Sequence, residues 1–229
     1  RFLAKENLLD RSFFHVSDEP HGEEHLANYK KARGLLQDLA PWMKTMDALS
    51  EIVYGREQVP DFPVPCIHVT KQFVDENIPC YTYFCCWPRG PYLNRLIDTP
   101  LSKIRMSGWL FYRFKVLGFL HWGYNYWYKS QPRTLIDPFA ESSGLKWPGW
   151  SYGDPFVVYP GPQGPLDSIR WEIFAQSLQD YALLQMRQVD PDGSFLSAFK
   201  DFDKFPKQIE WFRSARQRLL RGTGFQNKG

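Results

Sequence analysis

The chain has 229 residues, of which 43% are hydrophobic and 17% aromatic, enough apolar material for the core of one large domain or two small ones. Its 28 basic and 25 acidic side chains nearly cancel and form no basic block, so composition makes no case for nucleic acid. The most apolar window, residues 108–128, is broken by Arg113, Lys115 and His121 and is no membrane span.

In chain order, residues 1–10 read as the tail of a helix whose start is absent, which leads us to expect a fragment of a longer protein. Phe13-Phe14-His15-Val16 then suits a buried strand. Ser17-Asp18-Glu19-Pro20 follows where that strand should end, with two adjacent carboxylates and a proline able to open a helix. The C-terminal mouth of a strand is where parallel α/β sheets and barrels bind ligands, so Asp18 and Glu19 are the first candidates for chemistry. A structural reading competes: Ser17 or Asp18 caps the next helix, with Glu19 set against its positive end.

That helix is expected over residues 23–39, with Leu26, Tyr29, Leu35 and Leu36 inward. At its start His21 and His25 lie four apart, as in zinc proteases, but Gly22 stands where their motif requires Glu, and no metal is assigned. Strands are read at 44–49, at 64–70 and, rich in aromatic residues, at 78–87. The Pro-rich loop 88–94 after the last of these suits a site wall. Cys66, Cys80, Cys85 and Cys86 show no CxxC spacing and read as buried thiols, with a disulfide open and zinc disfavoured.

Thr99-Pro100 starts a helix expected to end at Gly118, on which Arg105 makes either a structural pair or a ligand contact. The next strand, 118–127, gathers Trp122, Asn125, Tyr126 and Trp127 at its end. Five strand-like segments separated by helix or loop have the rhythm of a (β/α)8 TIM-like barrel, of which this chain would supply about the last five strands. Residues 131–153 are loop-like and long enough for a lid or insertion. A short strand at 154–161 leads to a helix capped by Asp167 or Ser168 and running to about Met186, with Ile169, Ile173, Phe174, Leu178, Tyr181 and Leu184 or Leu183 inward. Residues 207–220 form an amphipathic helix with Ile209, Phe212 and Leu219 inward, and 221–229 fray. The whole, 1–229, is read as one partial barrel domain with a helical extension at 190–229.

Taken together, Ser17-Asp18-Glu19-Pro20, the loop from Trp87 to Asn94, Arg105 with Trp109, the run from Gly118 to Trp127, and Tyr159-Pro160-Gly161 followed by Asp167-Ser168-Ile169-Arg170 resemble the C-terminal part of the glycoside hydrolase family 123 catalytic domain. The resemblance spans roughly residues 13–184. It implies a glycosidase of the β-N-acetylhexosaminidase type, N-acetylgalactosamine being the favoured sugar, with a carbohydrate partner, no cofactor, a secreted or periplasmic setting and an upstream barrel half in the parent protein. Glu19 would protonate the departing glycosidic oxygen and later activate water, while Asp18 would orient the substrate's acetamido N–H. Two adjacent acids do not supply the separated carboxylates, ~5 Å or more apart, of an ordinary double displacement, which disfavours that route, and the resemblance implies instead that the 2-acetamido oxygen would serve as nucleophile. Tyr83, Asn94, Trp122, Asn125 and Trp127 would contact the sugar, with Tyr126 and Tyr159 as weaker candidates. The abundance of rings fits, since sugar C–H faces lie flat on them. The alternative from another class is a carbohydrate-binding or structural barrel without turnover, for which adjacent acids have no use.

Overall fold

The computed structural model describes residues 1–129, 134–141 and 150–223. The chain divides into two compact units, one made of Arg1–Tyr83 with Val116–Leu120 and the other of Phe84–Lys115 with His121–Gly229. The expected loop at 131–153 lies in part outside the described residues, namely 131–133 and 142–149, as does 224–229 of the expected frayed end.

The first unit is an α/β arrangement. Strands β1 (Phe13–Phe14), β2 (Lys44–Leu49) and β3 (Phe62–Pro65) run parallel in that order, with Phe13 beside Lys44 and Met46 beside Phe62. A second parallel pair joins β4 (Thr82–Tyr83) to β5 (Phe119–Leu120), and a parallel bridge from Cys66 to Tyr83 links the end of β3 to β4. Parallel neighbours need crossover connections, which the Gly22–Leu39 and Ile67–Asp75 helices provide. Five parallel strands in chain order match the expected rhythm, although such small sheets do not by themselves make a closed barrel.

Strand β2 alternates as its sequence requires, burying Thr45, Asp47 and Leu49. Four expectations are corrected in this unit. The buried strand expected at 13–16 is the two-residue β1, with Phe13 and Phe14 both exposed. The 64–70 strand stops at Pro65, and Ile67, Thr70 and Phe73 are buried at three-residue spacing on a helix instead. β-branched residues favour strands only weakly, and burial of one helical face overrides that preference. On the Gly22–Leu39 helix Tyr29 is buried, whereas Leu35 is 60% exposed. The 78–87 strand shrinks to Thr82–Tyr83, since Pro79 lacks the N–H a longer ladder needs.

In the second unit, the helix expected from Pro100 to Gly118 is two short ones, Leu101–Ile104 and Ser107–Arg113. The latter lies against the long Ile169–Met186 helix so closely that a Cβ on Gly108 would sit 1.9 Å from the Ser177 carbonyl oxygen. Ser168 caps the long helix as expected, its hydroxyl accepting the Trp171 N–H at 3.2 Å. The buried stripe is not the one hydrophobicity picks out. Ile169 and Leu178 are exposed, and Arg170, Phe174, Ser177, Asp180 and Leu184 face inward.

Polar residues tolerate that face because each is satisfied there. Arg170 donates to the carbonyls of Arg95, Gly153 and Phe156 at 2.8–2.9 Å. The buried Asp180 carboxylate accepts from Arg105 at 2.9 and 3.1 Å, from the Trp109 indole at 3.2 Å and from Arg216 at 2.9 Å. Arg105 is therefore a structural partner. Trp109, fully buried, stacks on Phe199 and meets Phe212 of the Ile209–Arg221 helix edge-on, which draws the C-terminal residues into the same core.

The 118–127 strand also ends early, at Leu120. Gly123 presses on the Pro155 carbonyl, where a Cβ would fall 2.5 Å away, and residues 124–126 pair antiparallel with 155–157 instead. The segment at 154–161 becomes a hairpin of β6 (Val158–Gly161) and β7 (Gly164–Asp167), whose second strand sequence reasoning missed. Among the described residues no helix is long and apolar enough to cross a membrane.

Asp180→Asn removes the charge that two guanidiniums share and is expected to cost about 3–5 kcal/mol of stability, read as a lower urea midpoint. A midpoint equal to the parent's would show that the buried cluster is dispensable.

Candidate active site

In the first unit the site is built outward from Asp47. The pleat of β2 turns this residue inward, leaving it 1% exposed, and a buried carboxylate must find donors. It takes the Val16 N–H at 3.0 Å and the Ser17 N–H at 3.2 Å, and it accepts the Tyr29 hydroxyl and pairs with His15 Nδ1. Burial first, and the Asp47 carboxylate second, push the Tyr29 hydroxyl far above the ordinary tyrosine range, so it stays a donor. One side chain on β2 thereby fixes the three residues that follow β1.

Those residues deliver the two acids. Glu19 donates its N–H to the Ala48 carbonyl at 3.2 Å and adopts φ 45°, a left-handed conformation that costs a side-chain-bearing residue about 1–3 kcal/mol. Its carboxylate accepts the hydroxyl of Tyr83, a residue 5% exposed at the end of β4. Asp18 is exposed and makes no side-chain hydrogen bond to another described residue. Beside this pair Cys66 is buried, and its thiol is pushed up to about 11, chiefly by burial, with the Tyr83 hydrogen bond opposing and the Glu19 charge adding. It is a protonated neighbour at neutral pH.

The capping alternative fails. The N-cap position of the Gly22–Leu39 helix falls on His21, which makes no side-chain cap bond, and the acids of its first turn are Glu23 and Glu24. Residues 17 and 18 lie too far upstream to reach the free amides. His21 and His25 meet edge to face with ring centroids 4.5 Å apart, and the His21 backbone N–H occupies His25 Nδ1. Among the described residues no group of three or more His, Cys, Asp or Glu could hold a metal ion.

The remaining sequence-derived candidates belong to the second unit. Trp122 is 43% exposed while its indole N–H donates to the buried Asp154 at 3.0 Å, so the ring is held by its edge. His121 Nε2 lies 3.3 Å from the other Asp154 oxygen. Asn125 is exposed, and Trp127 donates to the Val158 carbonyl at 3.0 Å. Asn94 differs from these. It is 2% exposed, and its amide donates to the carbonyls of Cys85 and Pro88 at 2.9 and 2.8 Å while its oxygen accepts the Arg95 N–H. That side chain is fully committed to its loop.

Asp47 was missed from sequence because an inward acid within a short strand looks like an interruption of the pattern. Asp154 was missed because it stands at the start of the segment read as a short strand, where no local pattern points to its partners Trp122 and His121, more than thirty positions upstream. The signal that was present is an acid flanked by residues on the buried period, an arrangement that demands compensating donors.

Residues 1–187 match the family model described as glycoside hydrolase 123, catalytic domain. Among solved structures, the chain is similar to a family 123 glycoside hydrolase from Clostridium perfringens whose structural analysis concerned glycolipid glycan hydrolysis. The likeness has a TM-score of 0.63 at 14% identity and covers 96% of this chain and 41% of that one. At that identity it speaks to fold, and the chain spans well under half the length of that structure. A search of curated proteins finds no match.

If Asp47 anchors the segment that carries the acids, Asp47→Asn should speed hydrogen exchange at the Val16 and Ser17 amides by about ten- to a hundredfold, the equivalent of losing a charge-assisted hydrogen bond. Unchanged exchange at both amides would remove Asp47 from that role.

Proposed function

The chain belongs to the glycoside hydrolase family 123 catalytic-domain family, and from that premise we propose that it cleaves terminal β-linked 2-acetamido sugars, N-acetylgalactosamine foremost, by a substrate-assisted retaining mechanism. The observation that carries this reading is the hydrogen bond between the Tyr83 hydroxyl and the Glu19 carboxylate. A phenol both donates and accepts, so it can receive the proton of neutral Glu19 and donate to the anion that remains after proton transfer. Glu19 needs both states in turn, first as the acid that protonates the leaving oxygen and then as the base that activates water.

Asp18 suits the second role for the opposite reason. Exposed and uncommitted, it can accept the acetamido N–H and stabilise positive charge as the acetamido oxygen attacks the anomeric carbon. The neighbouring acids differ in environment, one engaged by a buried phenol and the other open, and this difference supports different tasks. The left-handed backbone at Glu19 is the kind of local strain that persists where function demands a particular side-chain direction.

Within the second unit by itself, Trp122, Asn125 and Trp127 carry groups suited to sugar contact. An indole held by its edge offers a face to sugar C–H groups, and Asn125 offers both a donor and an acceptor to hydroxyls. Asn94 is left out because its hydrogen-bonding groups are already used. A glycan or glycolipid ending in a 2-acetamido sugar is the substrate class, in line with the glycolipid glycans of the Clostridium perfringens enzyme.

Glu19→Gln and Asp18→Asn should each lower kcat on an aryl β-N-acetylgalactosaminide by about 10²–10⁴-fold, and a thiazoline analogue of the cyclised substrate should inhibit the parent competitively. A normal rate in either variant, or indifference to the thiazoline, overturns the mechanism. Tyr83→Phe should cost about ten- to a hundredfold in kcat with little change in KM, as expected for a group that acts on the acid and not on ground-state binding.

A further inference from the structure

Outside the acid-bearing segment, the second unit brings two thiols together. Cys85 and Cys86 are consecutive and half-buried, and their sulfurs lie 3.8 Å apart within hydrogen-bonding reach. Side chains from elsewhere hold the backbone on both sides. The Cys85 carbonyl accepts from Asn94 at 2.9 Å, and the Cys86 carbonyl accepts from Arg89 at 3.0 Å and from Ser151 at 2.6 Å. The Cys85 N–H donates to the Trp87 carbonyl at 3.2 Å. These four ties fix the backbone that carries the two thiols, and the Cys85 sulfur is held in addition by the Trp87 carbonyl at 3.8 Å.

We propose that Cys85 and Cys86 are a redox-active vicinal dithiol, which a small-molecule disulfide such as oxidised glutathione converts to an internal Cys85–Cys86 disulfide. The step balances by thiol–disulfide exchange. Cys86 as thiolate attacks one sulfur of the oxidant, releasing one thiolate and leaving a mixed disulfide. Cys85 then gives up its proton and attacks the Cys86 sulfur, the second thiolate departs, and two protein thiols have been oxidised while the oxidant is reduced to two thiols.

Geometry sets the order of events. The Cys85 proton is held tightly, first because its S–H is shared with Cys86 and then because the site is desolvated, with the Asp154 carboxylate adding to the effect. The Cys85 sulfur also donates to the Trp87 carbonyl at 3.8 Å, a second acceptor for its proton, so Cys85 is the resolving thiol and Cys86 the first nucleophile. Consecutive residues have Cα atoms about 3.8 Å apart, closer than ordinary disulfides favour, and strained disulfides are the readily reduced kind. The oxidised form is accordingly reversible. Cys66 and Cys80 serve as internal controls, since both are buried and burial pushes their thiols up to about 11 and about 12. The proposal is independent of the glycosidase reading.

The test incubates the whole chain with oxidised glutathione, quenches in acid, alkylates under denaturing conditions and maps peptides by mass spectrometry. The expected peptide containing residues 85 and 86 has lost two hydrogens, carries neither alkyl group nor glutathione, and regains both alkylation sites after dithiothreitol. Cys66 and Cys80 remain fully alkylated. Cys85→Ser should stop the reaction at a stable glutathione adduct on Cys86. Full alkylation of residues 85 and 86 after oxidation, an accumulating glutathione adduct in the parent, or a crosslink involving Cys66 or Cys80 would each overturn the proposal.

Discussion

A carboxylate buried on the inward face of a strand has to be surrounded by donors, and the environment of Asp47 shows what that requirement builds. Two backbone amides, a phenol and an imidazole converge on one side chain, and three of these four donors come from the stretch just after β1. A charged acceptor is worth more to an amide than a neutral one, so the link between β2 and this stretch is stronger than two short strands could provide through their ladder. Asp18 and Glu19 inherit their position from that link. The active-site candidates are thus on a loop, but a loop fixed by a rigid strand, which is the arrangement that combines reach with precision.

The second unit solves a similar problem differently. Asp180 is as buried as Asp47, but its donors are two guanidiniums and an indole drawn from three separate helical segments. Here the carboxylate joins helices to one another. The close approach of Gly108 to Ser177 depends on residues with little or no side chain, and the charge cluster beside that crossing gives it a unique register, since sliding either helix would leave Asp180 or Arg105 unpaired in the interior. Apolar contacts such as Trp109 on Phe199 contribute area, whereas the polar contacts decide alignment.

Local pattern was enough for several features. The β2 strand at 44–49, a helix cap at Asp167 or Ser168 and the adjacency of Asp18 and Glu19 after a strand were legible because each depends on residues within a few positions of one another. The 64–70 segment was misread as wholly strand because its β-branched residues suit both a strand and a buried helix turn, and only the neighbours of Ile67 and Phe73 distinguish the two. The inward face of the Ile169–Met186 helix was misread for a related reason. Hydrophobicity cannot identify a buried stripe that contains Arg170 and Asp180, whose partners lie 14 to 75 positions away in the chain.

The sequence by itself determined the places of most elements, the strand rhythm, the acid pair and the family, because these are written in short-range pattern and in the order of motifs. Tertiary structure alone decided which acid meets a phenol, that Asn94 serves its own loop, that Arg105 answers Asp180, and that Cys85 and Cys86 sit with their sulfurs side by side. The physical reason is the same in each case. A polar group's role depends on what satisfies its hydrogen bonds or charge once water has been removed, and most of those partners come from distant parts of the chain, so only the folded molecule can name them.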